Sequence, residues 1–158
     1  MVVSMDFKNI QNGCLGGWNE EGIPRGKVLY TVNSGTTWNF GSLPDSVRTV
    51  VSIQYIYGAM YYASGAFNDD PFRVGEPSNN FRPETFMKEL DARGYDRGGN
   101  TKGCFLKTTD DGLTWNTYGV IPDIITFVYS MDFLDSTVGY MVAEDRFDRP
   151  NILKTQNG

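Results

Sequence analysis

The sequence predicts an all-β chain built from repeats of one four-stranded antiparallel meander. Three observations carry that prediction: an opening strand that recurs three times, a third strand that recurs three times and always ends on threonine, and an octet turn that follows this threonine. Repeats come before any single element, because a period of this kind fixes the architecture of the whole chain.

The opening strand reads VVSMDF at Val2 to Phe7, VVSIQY at Val50 to Tyr55 and VYSMDF at Val128 to Phe133. Each copy alternates with the period of two expected of a strand with unlike faces. A second strand begins 11 residues after each opening valine, as GCLGG (Gly13 to Gly17), YYASG (Tyr61 to Gly65) and GYMVA (Gly139 to Ala143). Its small residues suit a place where neighbouring backbones approach closely. The third strand is KVLYT ending at Thr31, CFLKT ending at Thr108 and NILKT ending at Thr155. The octets TVNSGTTW (Thr31 to Trp38) and TTDDGLTW (Thr108 to Trp115) then lead into a short fourth strand, while the third copy reads only Thr155, Gln156, Asn157, Gly158.

The spacing from Val2 to Val50 makes the unit about 48 residues, which is the size of a β-propeller blade. The expected division is blade 1 at about 2–49, blade 2 at about 50–127 and blade 3 at about 128–158, the last incomplete. Blade 2 is longer by about 30 residues, an insertion expected over 66–103 between its second and third strands. Within it PETFMKELDARG predicts a short helix, with Pro83 near its start and Gly94 as its stop. The rest of the insertion reads as loop.

The octet explains itself as a turn. Gly35 and Gly112 stand where a tight turn needs positive φ, and the Asn33 or Asp110 side chain two residues earlier can accept hydrogen bonds from the turn's amides. Thr31, Thr37, Thr108 and Thr114 add hydroxyls at the strand ends, and Trp38 and Trp115 offer apolar surface to neighbouring strands. Thr155 and Asn157 repeat the first part of the pattern. A catalytic carboxylate could not become the amide of Asn33 and keep its task, but a turn acceptor could.

TTDDGLTW fits Ser/Thr-x-Asp-x-Gly-x-Thr-Trp, the Asp-box or bacterial neuraminidase repeat, at every defined position, and TVNSGTTW departs only at Asn33. The chain therefore resembles the Asp-box β-propeller family, including photosystem II assembly-factor-like and secreted bacterial repeat proteins. The resemblance implies a propeller in which the box is structural, and an extracytoplasmic location. It does not imply one activity, because sialidases, xyloglucan hydrolases, sortilin-type receptors and non-enzymatic scaffolds all carry the box. In sialidases of the family the first arginine lies in Phe/Tyr-Arg-Ile-Pro. Gly22-Ile23-Pro24-Arg25 has those letters in another order and does not match.

Composition narrows the field further. The 158 residues are 40% hydrophobic and 14% aromatic, which suits one globular domain with a core. No apolar run approaches the roughly 18 residues of a membrane span, and MVVSMDFKNI does not read as a signal peptide. A net charge of −5 argues against nucleic acid as a partner. The absence of histidine removes Ser/His and Cys/His nucleophilic machinery from within the chain. Cys14 and Cys104 are too few for a zinc site, and half-buried unpaired thiols are expected ahead of a bridge. No calcium-loop pattern is present, so neither a metal nor a cofactor is expected.

A meander reverses at every turn, so the boxes and the loops after each second strand lie at opposite ends of the blades. Those loops, NEEGIPRG, the insertion and EDRFDRPN, hold seven of the eight arginines, leaving only Arg48 outside. They supply the candidate binding residues Arg25, Asp69, Asp70, Arg73, Arg82, Tyr95, Arg97, Arg146 and Arg149. Guanidinium forks suit carboxylates, sulfates or an acidic protein surface, although charge in solvated loops also pairs locally. A glycosidase would need two carboxylates facing a cleft, and Asp69, Asp70, Glu84 and Asp96 are available. Asp6 and Asp132 recur at one repeat position and read as strand-end structure.

Three blades do not make the usual ring of roughly 4 to 8, so remaining blades or other copies of the chain are expected to complete it. The function expected is a non-catalytic recognition or scaffold propeller that binds a protein or glycan through the loop face. The alternative is part of a secreted sialidase-like or other glycoside hydrolase.

Overall fold

The three repeats fold into three antiparallel sheets, set out in chain order in a computed structural model that describes residues 1–19, 25–68, 101–119 and 121–157. Blade 1 comprises β1 (Val2–Phe7), β2 (Gly13–Trp18), β3 (Gly26–Thr31) and β4 (Asn39–Phe40). Blade 2 comprises β5 (Val47–Tyr57), β6 (Met60–Asn68), β7 (Thr101–Thr108) and β8 (Asn116–Thr117). Blade 3 comprises β9 (Ile125–Phe133), β10 (Gly139–Asp145) and β11 (Pro150–Thr155). Each sheet is a meander of sequential neighbours, so the chain is all-β and its sheets have the form of propeller blades.

Two boundaries differ from the sequence reading. The opening strands of blades 2 and 3 start three residues early, at Val47 and Ile125. A second repeat sets this start: Leu43-Pro44-Asp45 and Ile121-Pro122-Asp123 each close a turn in which Val47 or Ile125 donates its amide to the proline carbonyl, at 3.1 and 2.9 Å. The insertion is also narrower than 66–103, because Ala66, Phe67 and Asn68 continue the β6 ladder opposite Gly103, Lys102 and Thr101. The expected helix at Pro83 to Gly94 lies outside the described residues.

The core sits between blades. Period two puts adjacent residues of β6 on opposite faces, so Tyr61 packs with Cys14, Val28, Val50, Ile53, Leu106 and Trp115 at the first junction. Tyr62 packs with Phe105, Val128, Met131, Phe133 and Met141 at the second. Their hydroxyls mark the two directions: Tyr61 accepts from the Lys8 amide of blade 1, and Tyr62 donates to the Ser136 carbonyl of blade 3. Gly16 explains the small residues of β2, since a Cβ there would lie 2.7 Å from Val50 and 2.9 Å from Ile53. Each apolar side chain buried in such a junction contributes roughly 1.5–3 kcal/mol. Both cysteines are free, and both are fully buried rather than half-buried.

The opening strands are joined by one repeated device. Asp6 accepts from the Tyr55 amide at 2.7 Å, and Gln54, at the same repeat position, accepts from the Phe133 amide at 2.8 Å. Gln54 also donates to the Phe133 carbonyl and to Asp132. Ser4 accepts from the Ile53 amide at 2.9 Å. These polar positions of the opening strand therefore hold blade to blade.

Candidate functional site

The two ends of the blades use their polar groups differently. At the box end, Thr31 Oγ1 accepts from the amides of Asn33 and Gly35 and donates to Asn33 Oδ1, which also accepts from the Thr37 amide. Thr108, Asp110, Gly112 and Thr114 repeat these bonds. One bond reverses: Asn33 Nδ2 donates to Thr37 Oγ1 at 2.9 Å, whereas Asp110 Oδ2 accepts from Thr114 Oγ1 at 2.5 Å. A threonine hydroxyl serves both cases because it can donate or accept. Thr155 and Asn157 form the first two bonds of the same turn.

Both box glycines have positive φ, 78° at Gly35 and 92° at Gly112, and so do Ser34 and Asp111 before them. Each box is pinned to the first turn of its own blade, through Ser34 N to Gln11 O and Asp111 N to Ala59 O. Lys8 adds an ion pair from blade 1 to Asp111 of the second box at 2.9 Å. Trp115 is buried and donates its indole N–H to Gly112 O, while Trp38 is half-buried with its ring edge-on to Phe7. Partial burial pulls Asp110 upward, but the hydroxyls of Thr108 and Thr114 and the amides of Thr114 and Leu113 outweigh it and hold the carboxyl below its usual range. Burial, reinforced by Asp111, Asp6 and Asp110, pushes the Cys14 thiol up to about 12, so it is not a nucleophile near neutral pH.

At the opposite end, the turn between β10 and β11 is organised by Asp145, only 2% exposed. Its carboxylate accepts from the amides of Phe147 and Arg149 and from Arg149 Nε at 2.8 Å. Desolvation opposes ionisation there, yet these bonds and the Arg149 charge hold its pKa down at about 2. The bent turn, with Asp148 at φ 58°, lifts Phe147 into solvent at 61% exposure. The guanidinium of Arg146 lies 5.4 Å from the Phe147 ring centroid and that of Arg149 lies 4.9 Å from it. Arg149 is already paired with Asp145, whereas among the described residues no carboxylate pairs with Arg146. The result is an exposed ring flanked by two cations, one of them without a carboxylate partner among the described residues.

Arg25 begins the corresponding end of β3, where its amide binds Asn19 Oδ1 and its side chain reaches only a loose 4.0 Å contact with the exposed Asp45. Arg25 and Lys27 share a shallow depression with Phe40 and Pro44. Arg48 is buried and donates to the Asp45 carbonyl, which makes it part of the turn that starts β5. Asp69, Asp70, Arg73, Arg82, Tyr95 and Arg97 lie outside the described residues, as do Glu84 and Asp96. Sequence reasoning included Arg146 and Arg149 but missed Asp145. Its signal was available in Asp145-x-Phe147-Asp148-Arg149, an acidic residue two and four positions before the amides it binds.

No protein-family model and no curated protein matches the chain. Among solved structures it is similar to YCF48 bound to a D1 peptide, with a TM-score of 0.58 and 18% identity, covering 99% of this chain and 36% of that one. It is also similar to YCF48 from Cyanidioschyzon merolae, with a TM-score of 0.34, 14% identity, and 99% and 50% of the two chains covered. The chain thus spans about a third to a half of the length of these structures. The first likeness extends over the whole chain and agrees with the blade architecture described above.

Proposed function

We propose that this chain is a non-catalytic recognition module of Asp-box propeller type, which binds a carboxylate-bearing protein segment through the loop face opposite the boxes. The single observation that carries the reading is the Arg146, Phe147, Arg149 cluster: an exposed ring between two guanidinia, of which Arg146 has no carboxylate partner among the described residues and offers its donors to a ligand carboxylate. That YCF48 has been solved bound to a D1 peptide supports a peptide ligand in preference to a glycan. An extracytoplasmic location belongs to the same proposal. The test is binding of the chain to arrays of acidic peptides and of glycans, beside a fluorogenic glycoside panel. Saturable peptide binding that Arg146→Ala abolishes supports the proposal, and glycoside turnover by the chain would sink it.

A further inference from the structure

Each third strand enters from the loop end with a cation at one repeat position. Arg25, Lys102 and Arg149 each stand six residues before the threonine that ends their strand. In blades 1 and 2 this cation meets the aspartate of the Pro-Asp turn that leads into the next blade, Arg25 with Asp45 at 4.0 Å and Lys102 with Asp123 at 3.2 Å. Both carboxylates project into solvent, and the Asp123 side chain is 89% exposed. A pair so open to water is held weakly, because solvent screens it and two side chains must be ordered to form it.

The second of these pairs lies beside the arginine cluster. The Arg146 amide donates to the Ile124 carbonyl at 3.0 Å, so the turn that displays Arg146 and Phe147 is seated on the residue next to Asp123. Ile124 belongs to the Pro122 turn, which Ile125 N closes on Pro122 O at 2.9 Å, and its place is therefore fixed. Lys102 of blade 2 and Arg146 of blade 3 are in this way brought to one stretch of the loop end, linked through Asp123 and Ile124. An ammonium offers three donors and no acceptor. Its partner here is a carboxylate that stays solvated whether or not it holds the lysine.

We propose that Lys102 is a second carboxylate subsite beside the arginine cluster, and that Asp123 is its resident competitor, held on the ammonium until a ligand carboxylate displaces it. The inference rests on the proposed recognition of acidic segments at Arg146, and it narrows the partner to a segment with two carboxylates, one for each cation. Two carboxylates side by side on one ammonium repel, so the ligand takes the place of Asp123, which turns into water at little cost. Once Arg146 holds the first carboxylate, the second reaches Lys102 as an intramolecular contact, which is where the added affinity arises.

The test is fluorescence anisotropy at low salt with labelled serine-glycine peptides that carry one glutamate, or two at graded spacings, titrated with the whole chain. The two-glutamate peptide of best spacing is expected to bind about two- to fivefold tighter than the one-glutamate peptide. Lys102→Ala removes this gain and leaves the melting temperature unchanged, Lys102→Arg keeps it, and Asp123→Asn enlarges it by a similar factor while leaving the one-glutamate peptide nearly unchanged. Equal affinity for one and two glutamates at every spacing, a gain that survives Lys102→Ala, or an Asp123→Asn gain shared by both peptides would overturn the proposal. Arg146→Ala separates the two readings: if it weakens both peptides while the Lys102 and Asp123 variants change nothing, the Lys102 subsite alone falls, whereas no binding of any peptide sinks both.

Discussion

At the box end of the blades the hydroxyls, the Asn33 amide and the Asp110 carboxylate find partners within their own turns, whereas at the loop end the Arg146 guanidinium and the Phe147 ring are exposed. Both ends rest on a turn in which one acidic or amide side chain gathers backbone N–H groups, Asp110 or Asn33 at one and Asp145 at the other. The difference lies in what the turn holds up. The box turn directs Trp115 inward to the junction core, and the Asp145 turn directs Phe147 outward. A repeated, internally satisfied turn marks structure, and recognition is to be sought where the same kind of turn displays groups it does not itself need.

Substitutions at the two ends should separate stability from binding. The largest effect is expected for Trp115→Ala, which removes a buried ring and should cost about 3–5 kcal/mol in chemical denaturation, while peptide binding at the loop face persists under native conditions. Asp110→Ala should cost about 1–2 kcal/mol because it leaves turn donors without an acceptor. Asp110→Asn should cost under about 1 kcal/mol, since the Asn33 turn already shows how the threonine hydroxyl reverses. A cost for the amide equal to that for alanine would break the view that the box needs an acceptor rather than a charge.

Acid should act on the loop turn in a defined window. Asp145 has a folded pKa depressed to about 2, so its contribution is fully present above the unfolded carboxyl range near pH 4 and is lost as pH falls from there toward 2. Stability measured across that window should decline, and Asp145→Asn should remove most of the decline while loosening the turn at neutral pH. Smallest of all, both thiols should resist alkylation at pH 8 in the folded chain and react fully once it is unfolded, because burial raises both.

The blades were legible in the sequence because local signals define them: period-two strands, a glycine turn and a threonine at each third-strand end. What holds blade to blade was much less legible. Asp6 binds Tyr55 and Gln54 binds Phe133, 49 and 79 residues away along the chain, and a side chain carries no local mark of so distant a partner. The recurrence of Asp6 and Asp132 hinted at a structural role without identifying the neighbouring blade as the other half. The strand bounds shifted for a similar reason, since Ala66 to Asn68 lack strong alternation and are held by pairing with Gly103 to Thr101. At the candidate site the arginines were visible as charges in a loop. The Asp145 turn that brings two of them onto one ring emerges only from the hydrogen bonds.

The central claim is that recognition lies at the loop end and the boxes do not take part. It is tested most directly by measuring the affinity of an acidic peptide, selected on the array, for the unaltered chain and for Arg146→Ala, Phe147→Ala and Asp110→Asn side by side. The account predicts loss of roughly tenfold or more for each of the first two, with stability changed by no more than about 0.5 kcal/mol, and unchanged affinity for the third. Affinity lost in Asp110→Asn and kept in both loop variants would contradict it.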